Sequence, residues 1–250
     1  MKKSSSELKS IAKGALLERY SLPVGSFLLL MLITTVISFI RSVIFPTPNN
    51  EDILSTFILT SVISFLASLI IGFLMGILSA GHYGLLMKLS RNQEASLSDL
   101  FYCFSHHPDR IVIPALLIFL IELGCLLPGY ILLIVAILQL NLTHIYVGAI
   151  FLIVGAIALI VGGILAIIFI FSYSQVYFIY LDAPEKGSIQ IMRESREMMN
   201  GNKGRFFYLS ISFIGLMLLS ILTCGIGFLW LAPYIQMTEI QFYRNLIGEI

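Results

Sequence analysis

Charge is what this sequence has least of. Only 12% of its 250 residues are Asp, Glu, Lys or Arg, where a soluble domain carries about 25%. A chain that is 58% hydrophobic cannot clothe its core with so few polar side chains, which excludes an ordinary water-soluble fold. The net charge of +1 leaves no basic or acidic field, so nucleic acid is not an expected partner. Cys103, Cys125 and Cys224 are odd in number and widely spaced. Without a C-x-x-C they build neither a disulfide framework nor a zinc site, and they read as small apolar side chains. The chain also lacks G-x-x-x-x-G-K-[ST], H-E-x-x-H and G-x-S-x-G, so no nucleotide, metalloprotease or hydrolase signature is present. The expectation is a protein that is not an enzyme, with no catalytic, cofactor-binding or metal-binding residues and no cofactor.

What is present is apolar sequence in runs longer than the ~18 residues that mark a spanning helix. The fold class is therefore all-α: a polytopic membrane helix bundle of about six transmembrane helices, with short amphipathic interfacial helices. The expected spans are 22–45, 52–87, 111–140, 145–180, 206–222 and 226–247. Residues 1–21, 88–110 and 181–205 are expected on the cytoplasmic side. The run from Leu22 to Phe45 is too long for the apolar core of a secretory signal and is not followed by a small-residue cleavage site, so it reads as a retained first span.

The polar segments carry local helix signals. Ser4 and Glu7 have capping-box spacing at the start of an amphipathic helix, on which Leu8, Ile11, Ala12 and Ala15 share a face suited to the membrane surface. Ser96 and Asp99 repeat the spacing before a short helix at Leu100-Phe101-Tyr102. A surface helix over Ser188 to Asn200 is expected to place Ile189, Met192 and Met199 on one side, and Asn200-Gly201 should close it with a left-handed cap. Turns are expected at residues 46–50, at 139–144 and at Thr223 to Gly227, and a break at Pro128-Gly129.

Orientation follows from the basic residues. Of the 15 lysines and arginines, all but Arg41 fall in segments assigned to the cytoplasm, which places the N-terminus inside and makes the protein multi-pass. For the last hairpin the bias rests on Arg244 alone.

Lipid supplies no hydrophobic force between spans, so close helix contact needs small residues. The second span has them at every fourth position, including Gly72, Gly76, Ala80 and Gly84. In the fourth, Gly148, Gly155 and Gly162 recur every seven residues, a spacing suited to a left-handed crossing. Glu122 is the one acid deep within a span, and no Lys or Arg from 111 to 185 is available to pair with it. It reads either as a proton or cation ligand or as a protonated, hydrogen-bonded structural group. Glu239 shares a more polar face with Gln236 and Tyr243. His82 reads as a satisfied interfacial histidine. Cys103, His106, His107 and Asp109 cluster in sequence without a standard zinc spacing.

Several segments resemble one family, the bacterial integral-membrane proteins catalogued as domain of unknown function 975. They include Leu8-Lys9-Ser10-Ile11-Ala12-Lys13, Ser98-Asp99-Leu100-Phe101, and Phe171-Ser172-Tyr173-Ser174 running into Leu181-Asp182-Ala183-Pro184. The most specific are Arg193-Glu194-Ser195-Arg196-Glu197-Met198-Met199-Asn200-Gly201-Asn202-Lys203 and Gly225-Ile226-Gly227-Phe228-Leu229-Trp230-Leu231-Ala232-Pro233-Tyr234. The chain departs at Gly162-Gly163, where the family more often has Pro-Gly, and at Leu216, where a tryptophan is frequent. The resemblance implies a helical bundle in a Gram-positive plasma membrane and brings no established activity. Membrane lipids, and a protein bound at the cytoplasmic segments, are the expected partners. The rival reading is a small transporter or channel subunit using Glu122.

Overall fold

The structure is a computed structural model that describes residues 2–17, 19–44, 54–141 and 145–250. All regular structure among them is helical. The first half of the chain forms α1 (Ser5–Leu16), α2 (Ser21–Ile44), α3 (Leu54–Ser90), a 3-10 turn (Leu97–Phe101), α4 (Tyr102–Ser105) and α5 (Asp109–Asn141). The second half forms α6 (Ile145–Ser172), α7 (Val176–Asp182), α8 (Ser188–Met199), α9 (Lys203–Ile211), α10 (Ile214–Leu222) and α11 (Phe228–Leu246). Among the described residues, five helical stretches are long and apolar enough to cross a membrane: Ser21–Ile44, Ile58–Ser90, Asp109–Leu140, Ile145–Asp182 and Lys203–Leu222. The 19 residues of α11 return alongside them, with Gln236, Glu239, Gln241 and Arg244 making it the most polar of the long helices. The turns expected at 46–50 and at the end of 139–144 lie outside the described residues.

Burial is concentrated at one end of the bundle. The second half of α3 (Ile77, Leu78, Ala80, Leu85, Leu86), Val176, Phe178, Ile179 and Tyr180 of α7, and Met237, Ile240, Phe242 and Tyr243 of α11 form its core. At the other end the side chains of α2, α3, α5 and α6 are largely exposed, among them Phe39, Ile40, Leu59, Phe65, Ile134, Ile157 and Ile160. Exposed apolar surface of this extent is what lipid tails solvate. Beyond the packed end the helices run mainly as hairpins, α2 with α3, α5 with α6, and α10 with α11.

Local signals behave as their chemistry requires. Glu7 accepts the Ser4 backbone N–H at 2.6 Å and Ser4 Oγ accepts that of Glu7 at 3.3 Å, closing the capping box of α1. The inner face of α1, Leu8, Ala12 and Leu16, is then buried mainly against α11 and α3. The helix expected on the membrane surface is thus part of the packed end. Asp99 accepts the Ser96 N–H at 2.9 Å at the head of the 3-10 turn. Gly201 has φ +74°, the left-handed conformation that ends α8.

Two further expectations need correction. Pro128-Gly129 does not break its helix, because α5 runs unbroken from Asp109 to Asn141 with Pro114 and Pro128 inside it. Membrane helices tolerate proline where neighbours and local adjustment satisfy the freed carbonyl, and a Cβ at Gly129 would lie 2.9 Å from the Leu159 backbone nitrogen of α6. The stretches expected over 145–180 and 206–222 keep the length and apolarity to cross a membrane, each with a local interruption, at Tyr173–Gln175 and between α9 and α10. At the first break, Ser195 Oγ of α8 accepts the Gln175 N–H at 3.2 Å and donates to the Ser172 carbonyl at 2.9 Å. Backbone groups freed by the interruption thus find a buried partner. Finally, Ile189 is 67% exposed, and Ile191 takes the inward position with Met192, Ser195 and Met199.

Candidate functional site

The small residues fall into two groups. In α6, Gly148, Gly155 and Gly162 are all buried. A Cβ at Gly162 would collide with the Cys125 carbonyl oxygen of α5, and one at Gly155 would lie 3.1 Å from the Leu133 nitrogen. At Gly148 it would lie 2.6 Å from Leu140 Cγ. The seven-residue spacing therefore keeps one edge of α6 against the backbone of α5. The strip on α3 is engaged only toward its second end. Gly72 faces open space, a Cβ at Gly76 would lie 3.8 Å from the Tyr177 hydroxyl, Ala80 is fully buried, and a Cβ at Gly84 would lie 3.1 Å from Leu181. The closest approach is off the strip, at Gly81, where a Cβ would strike the Leu100 carbonyl.

Glu122 sits half-buried in α5 and makes no hydrogen bond or ion pair among the described residues. The polar centre of the bundle lies elsewhere, where α2, α3 and α11 meet. His82, 1% exposed, is bracketed by Ser26 Oγ at 3.0 Å from Nδ1 and by Gln236 Oε1 at 2.9 Å from Nε2. A neutral imidazole satisfies both, with Nε2–H donating to Gln236 and Nδ1 accepting from Ser26. A protonated ring is also accommodated, because the Ser26 hydroxyl can turn to the Pro23 carbonyl at 2.9 Å. The next residue, Tyr83, donates to Glu239 Oε2 at 3.2 Å, and its ring stacks on Tyr177 at 5.8 Å and meets Phe178 edge-on at 5.3 Å. Gln236 and Glu239 are three apart on α11 and so present one face. Glu239 has no cationic partner among the described residues.

A second polar constellation closes the packed end. Arg91, just past α3, makes a two-bond ion pair with Asp182 at the end of α7, at 2.6 and 3.0 Å. It also binds Glu249 at 2.8 Å. Arg244 binds Glu249 at 2.8 Å and donates to the Ser90 carbonyl at 2.6 Å, while the Tyr243 hydroxyl donates to Asp182 at 2.8 Å. Arg91 and Arg244 hold the Glu249 carboxyl below the usual carboxylate range, and Asp182 and Glu249 push the Arg91 guanidinium further above its ordinary value. The chain ends meet nearby, where the Lys3 N–H donates to Asn245 Oδ1 at 3.2 Å. Beside this network is a cavity of about 220 Å³ between Gly81 and Gly84 of α3 and Tyr102 and Cys103 of α4, with the Lys88–Asp99 ion pair on its wall.

The other sequence candidates have structural roles. Burial pushes the Cys103 thiol up to about 11. His106 Nδ1 lies 3.0 Å from the Tyr102 carbonyl and its ring stacks on Tyr102, while the Tyr180 hydroxyl donates to the His106 carbonyl. No group of three or more metal-ligating side chains comes together among the described residues. The polar face of α11 was visible in the sequence. Its pairing with His82 and Tyr83 was not, although the glycines flanking that dipeptide signalled close contact there.

The family model for the protein of unknown function DUF975 matches residues 1–249. The chain belongs to this family. This DUF975 protein matches no curated protein and no solved structure. The match therefore assigns membership and carries no activity to any residue named above.

Proposed function

We propose that this DUF975 protein is a non-enzymatic integral membrane protein of the plasma membrane that acts through protein or lipid partners at its cytoplasmic end. One observation carries this reading: the ordered polar structure collects at a single end of the bundle. That end contains the Arg91–Asp182–Glu249–Arg244 network, the docked α1 and the packed α8. It also carries nearly all the lysines and arginines, which by the positive-inside rule makes it cytoplasmic. The meeting of Lys3 with Asn245 fits an even number of crossings with both termini inside. Away from this end the hairpins present mainly apolar side chains; Arg41 donates to Ser68 Oγ at 3.0 Å between α2 and α3, and the polar groups from His82 to Glu239 do not extend to that pair.

The second reading is a small transporter or channel subunit. Glu122 suggested it, and the observation that favours it is the buried His82–Gln236 and Tyr83–Glu239 pairs, the kind of intramembrane polar centre that relays protons or holds cations. Proton and cation flux in proteoliposomes separates the two readings. Wild type, Glu122→Gln and Glu239→Gln are expected to be equally silent while cross-linkers on the cytoplasmic segments capture a partner. Wild-type flux that either substitution abolishes would replace the first reading with the second.

A further inference from the structure

Most cationic side chains of the packed end are already engaged. Arg91 and Arg244 hold Glu249, Lys88 holds Asp99, Lys186 holds Glu194, Arg205 donates to Asn245 and to the Lys3 carbonyl, and Lys9 donates to the Ser212 carbonyl. The ammonium groups of Lys2, Lys13 and Lys203 have no partner among the described residues, and among the arginines of this end two, both on α8, stand apart from the pattern. Arg196 has no partner among the described residues, and Arg193 reaches Glu197 only at 4.0 Å, with both side chains about 70% exposed.

These two arginines form the lip of an open groove of about 450 Å³ between α8 and α5. Its opposite wall is Leu117, Leu120 and Ile121, and Tyr173 at the break between α6 and α7 also lines it. Leu120 is 50% exposed, and the Tyr173 hydroxyl has no partner among the described residues. The groove therefore joins two cations and a phenol hydroxyl to a wall of branched aliphatic side chains.

Helix geometry sets its depth. The 33 residues of α5 extend ~50 Å against a hydrocarbon core of ~30 Å, which leaves ~20 Å outside it. Leu117 to Ile121 lie ~12 to ~18 Å from the Asp109 end, at the boundary between headgroups and acyl chains when the excess projects from the packed end. At that level a phospholipid already presents its phosphate and glycerol, with its first methylenes just beneath, so it reaches both the arginines and the aliphatic wall without leaving the bilayer.

We infer that the groove between α5 and α8 is a site for one anionic membrane phospholipid, its headgroup held by Arg193 and Arg196 and its acyl chain lying along Leu117, Leu120 and Ile121. The proposal rests on the reading that this protein works through membrane partners and names one of them by its chemistry. Guanidinium groups suit a phosphodiester because their forked donors match its oxygens in pairs.

The test uses the full chain in nanodiscs of phosphatidylcholine containing a minor fraction of phosphatidylglycerol, with native mass spectrometry counting the lipids that stay bound. Wild type should retain one phosphatidylglycerol in preference to phosphatidylcholine. Arg193→Gln/Arg196→Gln should weaken that preference about thirtyfold, the equivalent of roughly 1 kcal/mol for each cation. Leu120→Trp should weaken retention by filling the groove with both charges intact. Lys2→Gln/Lys203→Gln, which removes the same charge elsewhere, should leave retention unchanged. Equal retention by wild type and the arginine variant, with matching melting temperatures, would overturn the site, as would an equal loss in the lysine pair. Displacement of the lipid by millimolar inorganic phosphate would show a plain anion site and overturn it too. The readout needs no transport or partner assay, so failure here leaves the flux experiment to judge the broader reading on its own.

Discussion

Arg91 and Asp182 are 91 residues apart in the chain, yet their side chains meet in a two-bond pair at 2.6 and 3.0 Å. The contact joins the end of α3 to the end of α7, and through Glu249 it draws the C-terminal residues onto both. Each partner is about one quarter exposed, so water screens the pair only in part. An Arg91→Met/Asp182→Asn double-mutant cycle should show a coupling of about 1–2 kcal/mol in thermal unfolding, between the values for exposed pairs and for buried charged hydrogen bonds. Additive single substitutions would show that the pair is incidental to the packed end.

Acidification should release the C-terminus. Arg91 and Arg244 hold the Glu249 carboxyl below its ordinary value. The group therefore adds stability that is complete above the ordinary carboxylate pKa and is lost as pH falls through its lower folded value. The protection of residues 244–250 against hydrogen exchange, measured relative to the intrinsic rate at each pH, should stay high near neutrality and fall below about pH 4. Glu249→Gln should exchange quickly already at neutral pH. A pH-independent pattern in the wild type would mean that the network does not hold these residues.

Two glycines should discriminate sharply. Gly81→Ala and Gly162→Ala each press a methyl group onto a backbone carbonyl, that of Leu100 and of Cys125, and should cost about 1–3 kcal/mol. Gly72→Ala and Gly163→Ala meet nothing within 4 Å and should leave the melting temperature nearly unchanged. Fluorescence-detected melting of the detergent-solubilised protein ranks all four, and similar losses across them would contradict the helix contacts described.

Ser195→Ala removes the side chain that satisfies both the Gln175 N–H and the Ser172 carbonyl in a buried site. Leaving those groups unpaired should cost about 1–3 kcal/mol. Ser10→Ala, whose exposed hydroxyl bonds only the Glu7 carbonyl, is the control and should be nearly silent.

Cysteine labelling reads out the orientation. Cys103 is fully buried, with its thiol pushed up to about 11, and Cys224 is exposed. A membrane-impermeant maleimide added to intact cells should label Cys224 and spare Cys103. An Ile250→Cys substitution should react only after lysis. Labelling of that cysteine in intact cells would mean that the last hairpin leaves the C-terminus outside.

The all-helical character of this chain, its helices long and apolar enough to cross a membrane and the caps at Ser4 and Gly201 were legible in the sequence. Each depends on nearest neighbours along the chain: the length of an apolar run, the spacing of a capping pair, a glycine at a left-handed turn. Tertiary structure alone decided that Pro128 is accommodated within α5 and that the chain bends at Tyr173–Gln175, where Ser195 is at hand to bind the freed backbone. Likewise, Glu122, the acid that its place in the sequence set deep within a span, has no polar partner among the described residues, while His82 finds Ser26 and Gln236, and Glu239 finds Tyr83. Lipid weakens the hydrophobic gradient that tells a soluble helix which face turns inward, and a hydrogen bond between residues 56 or 154 positions apart leaves no periodicity to read. The sequence by itself therefore determined which segments form long apolar helices, and only the packing of one helix on another decided which polar side chains meet between them.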